Sequence, residues 1–193
     1  MIKILHVITT INRGGAENQL LVLVREQIKS GMEVSVLYLK GDPELERDFS
    51  NAGAKVVHDI ANLHPFFQFL KMRSILKSQK ALLHAHLPRA ELLTRFTSAR
   101  NPFVVSKHNA EPFFPGAPRF LSSFLSRFVT EKAKHVIAIS HAVSNFVSAK
   151  KEVRDLNKIT VVHYGYQPSP NVDRLNAKVG LGEDSRICIG TIS

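Results

Sequence analysis

The chain has 193 residues, 44% of them hydrophobic, which is enough for one large core or two small ones. Lys and Arg number 26 against 16 Asp and Glu, and the net charge of +10 favours anionic partners: nucleotide phosphates or an acidic membrane surface. The positive residues are scattered and no zinc-finger, homeodomain or RNA-recognition pattern occurs, which excludes nucleic acid as the expected partner, while the lone Cys188 excludes an intramolecular disulfide framework and fits a reducing cytoplasm.

Ile2 to Ile8 is an apolar run too short for a signal peptide, and it reads as a buried strand. No apolar run reaches transmembrane length. The loop Thr9-Thr10-Ile11-Asn12-Arg13-Gly14-Gly15-Ala16-Glu17-Asn18 follows, then an amphipathic run from Leu20 to Ile28. Strand, tight loop and helix in an open parallel sheet place such a loop where ligands bind. Gly14 and Gly15 are expected to take positive φ and to let the backbone approach an anion at the positive end of the helix dipole. The loop is neither a dinucleotide fingerprint nor a P-loop, and a bare glycine pair also serves a plain turn.

Gly31 closes the first helix, and Glu33 to Leu39 is a second strand. Asp42-Pro43-Glu44 predicts a helix start with Asp42 as cap, and Gly53 ends that helix. Ala54 to Ile60 is a third strand. Pro65 opens a helix to about Lys80, with Phe69, Met72 and Leu76 on one stripe. Ala81 to Leu87 is a fourth strand, Arg89 to Ala99 a helix and Phe103 to His108 a fifth strand. Pro118 opens a helix to about Ala133, with Leu121, Phe124, Leu125 and Phe128 expected inward. His135 to Ile139 is a sixth strand, Ser140 caps a helix over Ala142 to Lys151, and Ile159 to His163 is a seventh strand.

This alternation predicts an α/β protein, a Rossmann-like open parallel sheet with helices on both faces. Right-handed crossovers then bring every strand's carboxyl end to one rim. Residues 1–164 supply this domain, 165–185 read as a Pro-rich linker, and 186–193 begin another strand without neighbours.

His84 and His86 share one face of the fourth strand, because side chains alternate with period two. A structural or substrate-contacting pair is expected; a metal needs further ligands that spacing does not place. Arg89, in the next turn, could hold a carboxylate or phosphate. His108 ends a buried strand at the rim and is either an acid/base or hydrogen-bonding group or a plain strand cap. Ser140 is an N-cap whose loop also faces the rim. Eight of the 12 Phe fall in two stretches, and between Pro112 and Thr130 the only charges are Arg119 and Arg127. An aromatic segment with basic flanks suggests a membrane interface or a lipid-linked substrate. Phe113 and Phe114, with Pro115 and Gly116, are expected to form a mobile apolar loop that meets the membrane together with Arg119.

Together these pieces resemble the amino-terminal domain of retaining GT-B glycosyltransferases of family four. The resemblance rests on Asn12-Arg13-Gly14-Gly15-Ala16-Glu17, His84-Ala85-His86-Leu87, Lys107-His108-Asn109 and Val136-Ile137-Ala138-Ile139-Ser140-His141-Ala142-Val143. Ile159-Thr160-Val161-Val162-His163-Tyr164-Gly165 looks like the segment that often reads Val-Ile-Pro-Asn-Gly in relatives, with His163-Tyr164 in place of Pro-Asn.

The resemblance implies a two-domain enzyme that binds a nucleotide sugar between its domains and transfers the sugar with retention. The acceptor would be a glycan or a lipid-linked acceptor, in cell-surface polysaccharide or lipopolysaccharide synthesis, on or near the inner face of the membrane. Gly14 and Gly15 would meet the donor diphosphate, and His108 would serve catalysis. Asn12, Arg13, Glu17, His86, Arg89, Asn109 and Ser140 would line the sugar and acceptor side. No metal and no cofactor is implied, the nucleotide sugar being a co-substrate. Residues 186–193 would open an otherwise absent carboxyl-terminal domain, so the chain alone is expected not to catalyse. An inactive glycan- or anion-binding domain and a nucleotide-sugar epimerase of similar fold remain the alternatives.

Overall fold

The computed structural model describes residues 2–78 and 80–165. The expected linker, apart from Gly165, and the expected strand at 186–193 lie outside the described residues, as does Cys188. In chain order the elements are β1 (Lys3–Ile8), α1 (Gly15–Lys29), β2 (Glu33–Tyr38), α2 (Glu46–Asn51), β3 (Lys55–Val57), α3 (Pro65–Ser78) and β4 (Leu82–His86). They continue with α4 (Pro88–Thr97), β5 (Phe103–Lys107), α5 (Arg119–Lys132), β6 (His135–Ala138), α6 (His141–Ala149) and β7 (Ile159–Val161). All seven strands pair in parallel in the order β3-β2-β1-β4-β5-β6-β7. This is the α/β, Rossmann-like architecture that the alternation predicts.

The strand order reverses direction between β1 and β4, and that switch point opens a crevice at their carboxyl ends. On one face α1 and α2, with Leu45 just before α2, pack Leu20, Leu21, Val24, Leu45 and Phe49 against Ile8, Val34 and Val36. On the other, α3 to α6 pack Met72, Ala90, Val129 and Val143 against Leu5, Val7, Leu83 and Val105. β1 and β2 therefore send alternate side chains into two separate apolar layers. Beside α1 the sheet face over β4, β5 and β6 remains an apolar groove of about 480 Å³.

Several local expectations change. α2 starts at Glu46 rather than after Asp42. The residues before it are tied to the first loop instead: the Leu45 amide donates to the Ile11 carbonyl and the Arg13 amide to the Glu44 carboxylate. α3 buries Gln68, Met72 and Leu76, so Gln68 takes the place expected for Phe69. The Gln68 amide spans two loops, donating to the Leu39 and Ile60 carbonyls at 2.7 and 3.1 Å.

The largest correction concerns the aromatic stretch. α5 turns Ser122, Ser126, Val129 and Thr130 inward and leaves Phe120 and Phe124 78% and 61% exposed. The cause lies beneath it. Lys107 is buried against Glu91 at 2.7 Å, and Ser126 Oγ accepts from Lys107 and donates to Glu152. A buried ammonium and two carboxyls require hydroxyl partners, and only the serine face of α5 supplies them. Phe113 is likewise not part of an exposed loop. It is buried in the core, and the Lys107 ammonium sits over its ring at 4.4 Å. Phe114 is half-buried, its amide donating to Ser122 Oγ.

Candidate functional site

The parallel sheet brings the loops after β1, β4, β5 and β6 to one rim. α1 begins at Gly15 with Gly14 as its cap, and no side chain caps it. The amides of its first turn have no intrahelical acceptor and point outward with the positive end of the dipole. Neither glycine takes the expected positive φ: Gly14 is extended, at φ −95°, and Gly15 is helical. Their need is spatial. A Cβ on Gly14 would collide with the carboxylate of Glu17, which folds back over it and is held by Thr10 Oγ1 at 2.5 Å. A Cβ on Gly15 would meet nothing within 4 Å, so the space in front of Gly15 is open.

Ahead of this helix start, Thr9 Oγ1 and Asn12 Oδ1 are buried without a hydrogen-bond partner among the described residues. Sequence reasoning names Asn12 but passes over Thr9, whose burial depends on β1 being central. Arg13 points elsewhere, its guanidinium 3.3 Å from Asp48 on α2. Arg89 is half-buried and donates to Gln68 Oε1 at 3.4 Å. Asn109 is exposed at the rim, and Ser140 caps α6 by accepting from the Val143 amide.

The centre of the site is a row of histidines on the α1 face. Pairing puts His6 opposite His84, Ile8 opposite His86, and His86 opposite Ser106, and His108 follows β5. His6 Nδ1 lies 3.0 Å from His86 Nε2, and His86 Nδ1 lies 3.1 Å from His108 Nε2. His6 Nε2 reaches Gln27 Oε1 at 2.8 Å, and His108 Nδ1 reaches the Tyr164 hydroxyl at 2.5 Å. His84 stands beside the row and bonds Ser106 Oγ at 2.7 Å.

Burial lowers all four imidazoles: His6 and His108 to about 4, His84 and His86 well below their ordinary value. For His108 the neighbouring Lys107 ammonium adds to the effect. Burial pushes the Tyr164 phenol up to about 12, with the Glu17 carboxylate adding to it. The row is therefore neutral at physiological pH. Three ligand atoms of His6, His84 and His86 lie within 4.8 Å of one another, a grouping a metal ion could use. In the structure His6 and His86 hydrogen-bond each other and His84 bonds Ser106. The sequence shows only the His84–His86 pair; His6 joins through sheet pairing alone. Tyr164 is missed too, although it sits where the segment departs from the pattern of relatives.

Two cavities meet at His108. One of about 120 Å³ lies towards α4, lined by Leu87, Glu91, Lys107, Asn109, Phe113 and Glu152. The other is the apolar groove beside α1. Leu87, between His86 and α4, is held at φ +71°, a strained conformation for a leucine, of the kind that clusters at functional sites.

The family model described as Glycosyltransferase Family 4 matches residues 13–169. The chain belongs to that family. No curated protein matches it. Among solved structures it is similar to Anabaena Alr3699/HepE in complex with UDP and glucose, with TM-score 0.74 and 18% identity over 94% of this chain and 50% of that one. A glycosyltransferase from Rickettsia africae ESF-5 follows at TM-score 0.64 and 16% identity, over 85% of this chain and 43% of that one. UDP-N-acetylglucosamine 2-epimerase from Rickettsia bellii gives TM-score 0.59 and 11% identity, over 85% of this chain and 45% of that one. The chain thus spans half or less of the length of the structures it matches. At these identities the likeness is one of fold, and the sheet is that of an amino-terminal GT-B domain.

Proposed function

We propose that the protein transfers a sugar from a nucleotide-sugar donor to a glycan or lipid-linked acceptor, with retention, in cell-surface polysaccharide or lipopolysaccharide synthesis. The observation that carries this reading is the convergence, at the β1/β4 switch point of a family 4 domain, of an open helix start at Gly15 and His108. The free amides of the first turn, from Gly15 on, suit a diphosphate. In the solved structures of HepE the bound ligands are UDP and UDP-glucose, which supports a nucleotide-sugar donor here. In front-face transfer the acceptor oxygen bonds the anomeric carbon as the carbon–oxygen bond to the diphosphate breaks, and the acceptor proton passes to a diphosphate oxygen. The donated positive field of the helix start meets the charge that develops there. That mechanism calls for no metal.

His108, with Glu17 and Asn109 near it, lines the sugar and acceptor side. Phe120, Leu121 and Phe124, beside Arg119, replace Phe113 as the surface for peripheral contact with the inner face of an anionic membrane. No described helix is long and apolar enough to cross one. On this reading the described domain forms one wall of the cleft, and by itself it binds phosphate groups weakly and transfers nothing.

The test is to incubate the full gene product with a panel of nucleotide sugars and candidate acceptors, following nucleoside diphosphate release and product configuration. Retained product in an acceptor-dependent reaction supports the proposal. Isomerisation of the free nucleotide sugar would identify an epimerase, and binding without turnover would identify an inactive binding domain.

A further inference from the structure

We infer that Gln27, on α1, sets the tautomer of His108 through the buried row of imidazoles, and so decides which ring nitrogen faces the rim. The row runs Gln27 Oε1, His6, His86, His108 and the Tyr164 hydroxyl, linked at 2.8, 3.0, 3.1 and 2.5 Å. A neutral imidazole has one N–H and one bare nitrogen. In such a row each ring's donor must meet the next ring's acceptor, so a choice made at one end is made for all three rings. The Tyr164 hydroxyl both donates and accepts, and leaves either direction open. The Gln27 amide oxygen only accepts. With Oε1 against His6, the proton of His6 lies on Nε2, that of His86 on Nε2 and that of His108 on Nε2. The bare Nδ1 of His108 then accepts from Tyr164.

The rings are neutral because burial holds them so, and the low-dielectric setting makes a mismatched pair of donors or acceptors costly. The row does not conduct. A proton passed inward from His108 would arrive at an amide carbonyl, which is no base. Gln27 is thus a positioning residue. Its consequence at the rim is a lone pair on His108 Nδ1, suited to accept from a sugar or acceptor hydroxyl that displaces Tyr164. This last step rests on the transferase reading; the tautomer itself does not.

The experiment uses the 193-residue chain labelled with ¹⁵N-histidine, and long-range proton–nitrogen spectra near pH 7.5. His108, His86 and His6 should each show a protonated Nε2 and a bare Nδ1. Gln27→Met removes the directing acceptor and should turn His108 into a mixture of tautomers. Gln27→Glu keeps an acceptor there and should restore the single form. Melting curves confirm that both variants fold, the site being only half-buried. A protonated Nδ1 on His108 in the parent chain, or a His108 tautomer indifferent to Gln27→Met, overturns the inference. So does a shift of His6, His84 and His86 together on adding zinc chloride, which would make the row a metal centre.

In the full gene product Gln27→Met should lower kcat roughly 10- to 100-fold, the scale known for outer-shell partners that orient metal-bound histidines, with donor KM little changed and Gln27→Glu recovering much of the loss. If the spectra behave as expected and no variant transfers sugar, the transferase reading fails while the tautomer assignment stands.

Discussion

Gly14 and Gly15 are adjacent and differ in what surrounds them. A side chain on Gly14 would push the Glu17 carboxylate off Thr10. Gly14→Ala should therefore destabilise the fold by about 1–3 kcal/mol, the cost of disturbing a buried polar contact, as read from urea unfolding. Gly15→Val meets only open space, so the melting temperature should hold while nucleotide-sugar affinity of the full gene product falls. Unchanged affinity with the fold intact would remove the diphosphate contact from Gly15. His108 is a different case, with one nitrogen on the row and the other at the rim. His108→Ala should cut turnover by about 10²–10⁴, the range for a positioned acid/base or hydrogen-bonding group, and cost about 1–3 kcal/mol of stability by leaving the buried His86 Nδ1 unpaired. A large loss of stability with normal turnover would make it a strand cap.

α5 shows how a buried charge orients a whole helix. Its aromatic side would be the better hydrophobic face, yet Ser122 and Ser126 point inward because Lys107, Glu91 and Glu152 lie under them. Burial raises the carboxyls of Glu91 and Glu152 above their ordinary value, with Lys107 pulling each back. Lys107→Met leaves Glu91 without its cation and should cost about 3–5 kcal/mol. Adding Glu91→Gln should recover part of that, a coupling that a double-mutant cycle measures. The same rotation sets a contrast in membrane contact. Phe120→Ser with Phe124→Ser should keep the melting temperature and weaken co-sedimentation with anionic liposomes, more so as salt rises. Phe113→Ser should instead lower stability by about 3–5 kcal/mol, as loss of a buried aromatic does. Sedimentation indifferent to Phe120, Phe124 and lipid charge would end the membrane reading.

At the scale of the molecule, the histidine row makes stability depend on pH. Each of these histidines has a folded value below the ordinary 6.5, two of them at about 4. A depressed value means that the unfolded chain takes a proton the folded one refuses. Full stability is therefore present above pH 6.5 and is lost as pH falls towards 4, by about 1.4 kcal/mol per pH unit for each histidine still neutral in the fold. Glu91 and Glu152 act in the opposite sense, their penalty relieved only as pH drops into the carboxylate range. The steepest loss should lie between about pH 6.5 and 5. Urea unfolding across this range checks it, and a flat profile would mean the row charges without cost.

The sequence by itself determined the strand–helix alternation, the parallel sheet and the rim. Those rest on local signals: apolar runs, period-two and helical spacing, and glycine and proline at the junctions. Gly14-Gly15, His84-Ala85-His86 and His108 were legible because each follows a strand, and a parallel sheet carries every strand end to one side. What only the tertiary structure decided is which residues from distant segments meet. His6 and His86 are 80 positions apart and become neighbours because β1 pairs with β4. Tyr164 reaches His108 across 56 positions, and Gln27 closes the row from a helix that shows no sign of it. The rotation of α5 belongs here as well, since hydrophobic periodicity points its aromatics inward. Periodicity weighs apolar area, whereas a buried Lys107 imposes hydrogen bonds that only a particular face can make, and an unmet charge outweighs a few phenylalanines left in water.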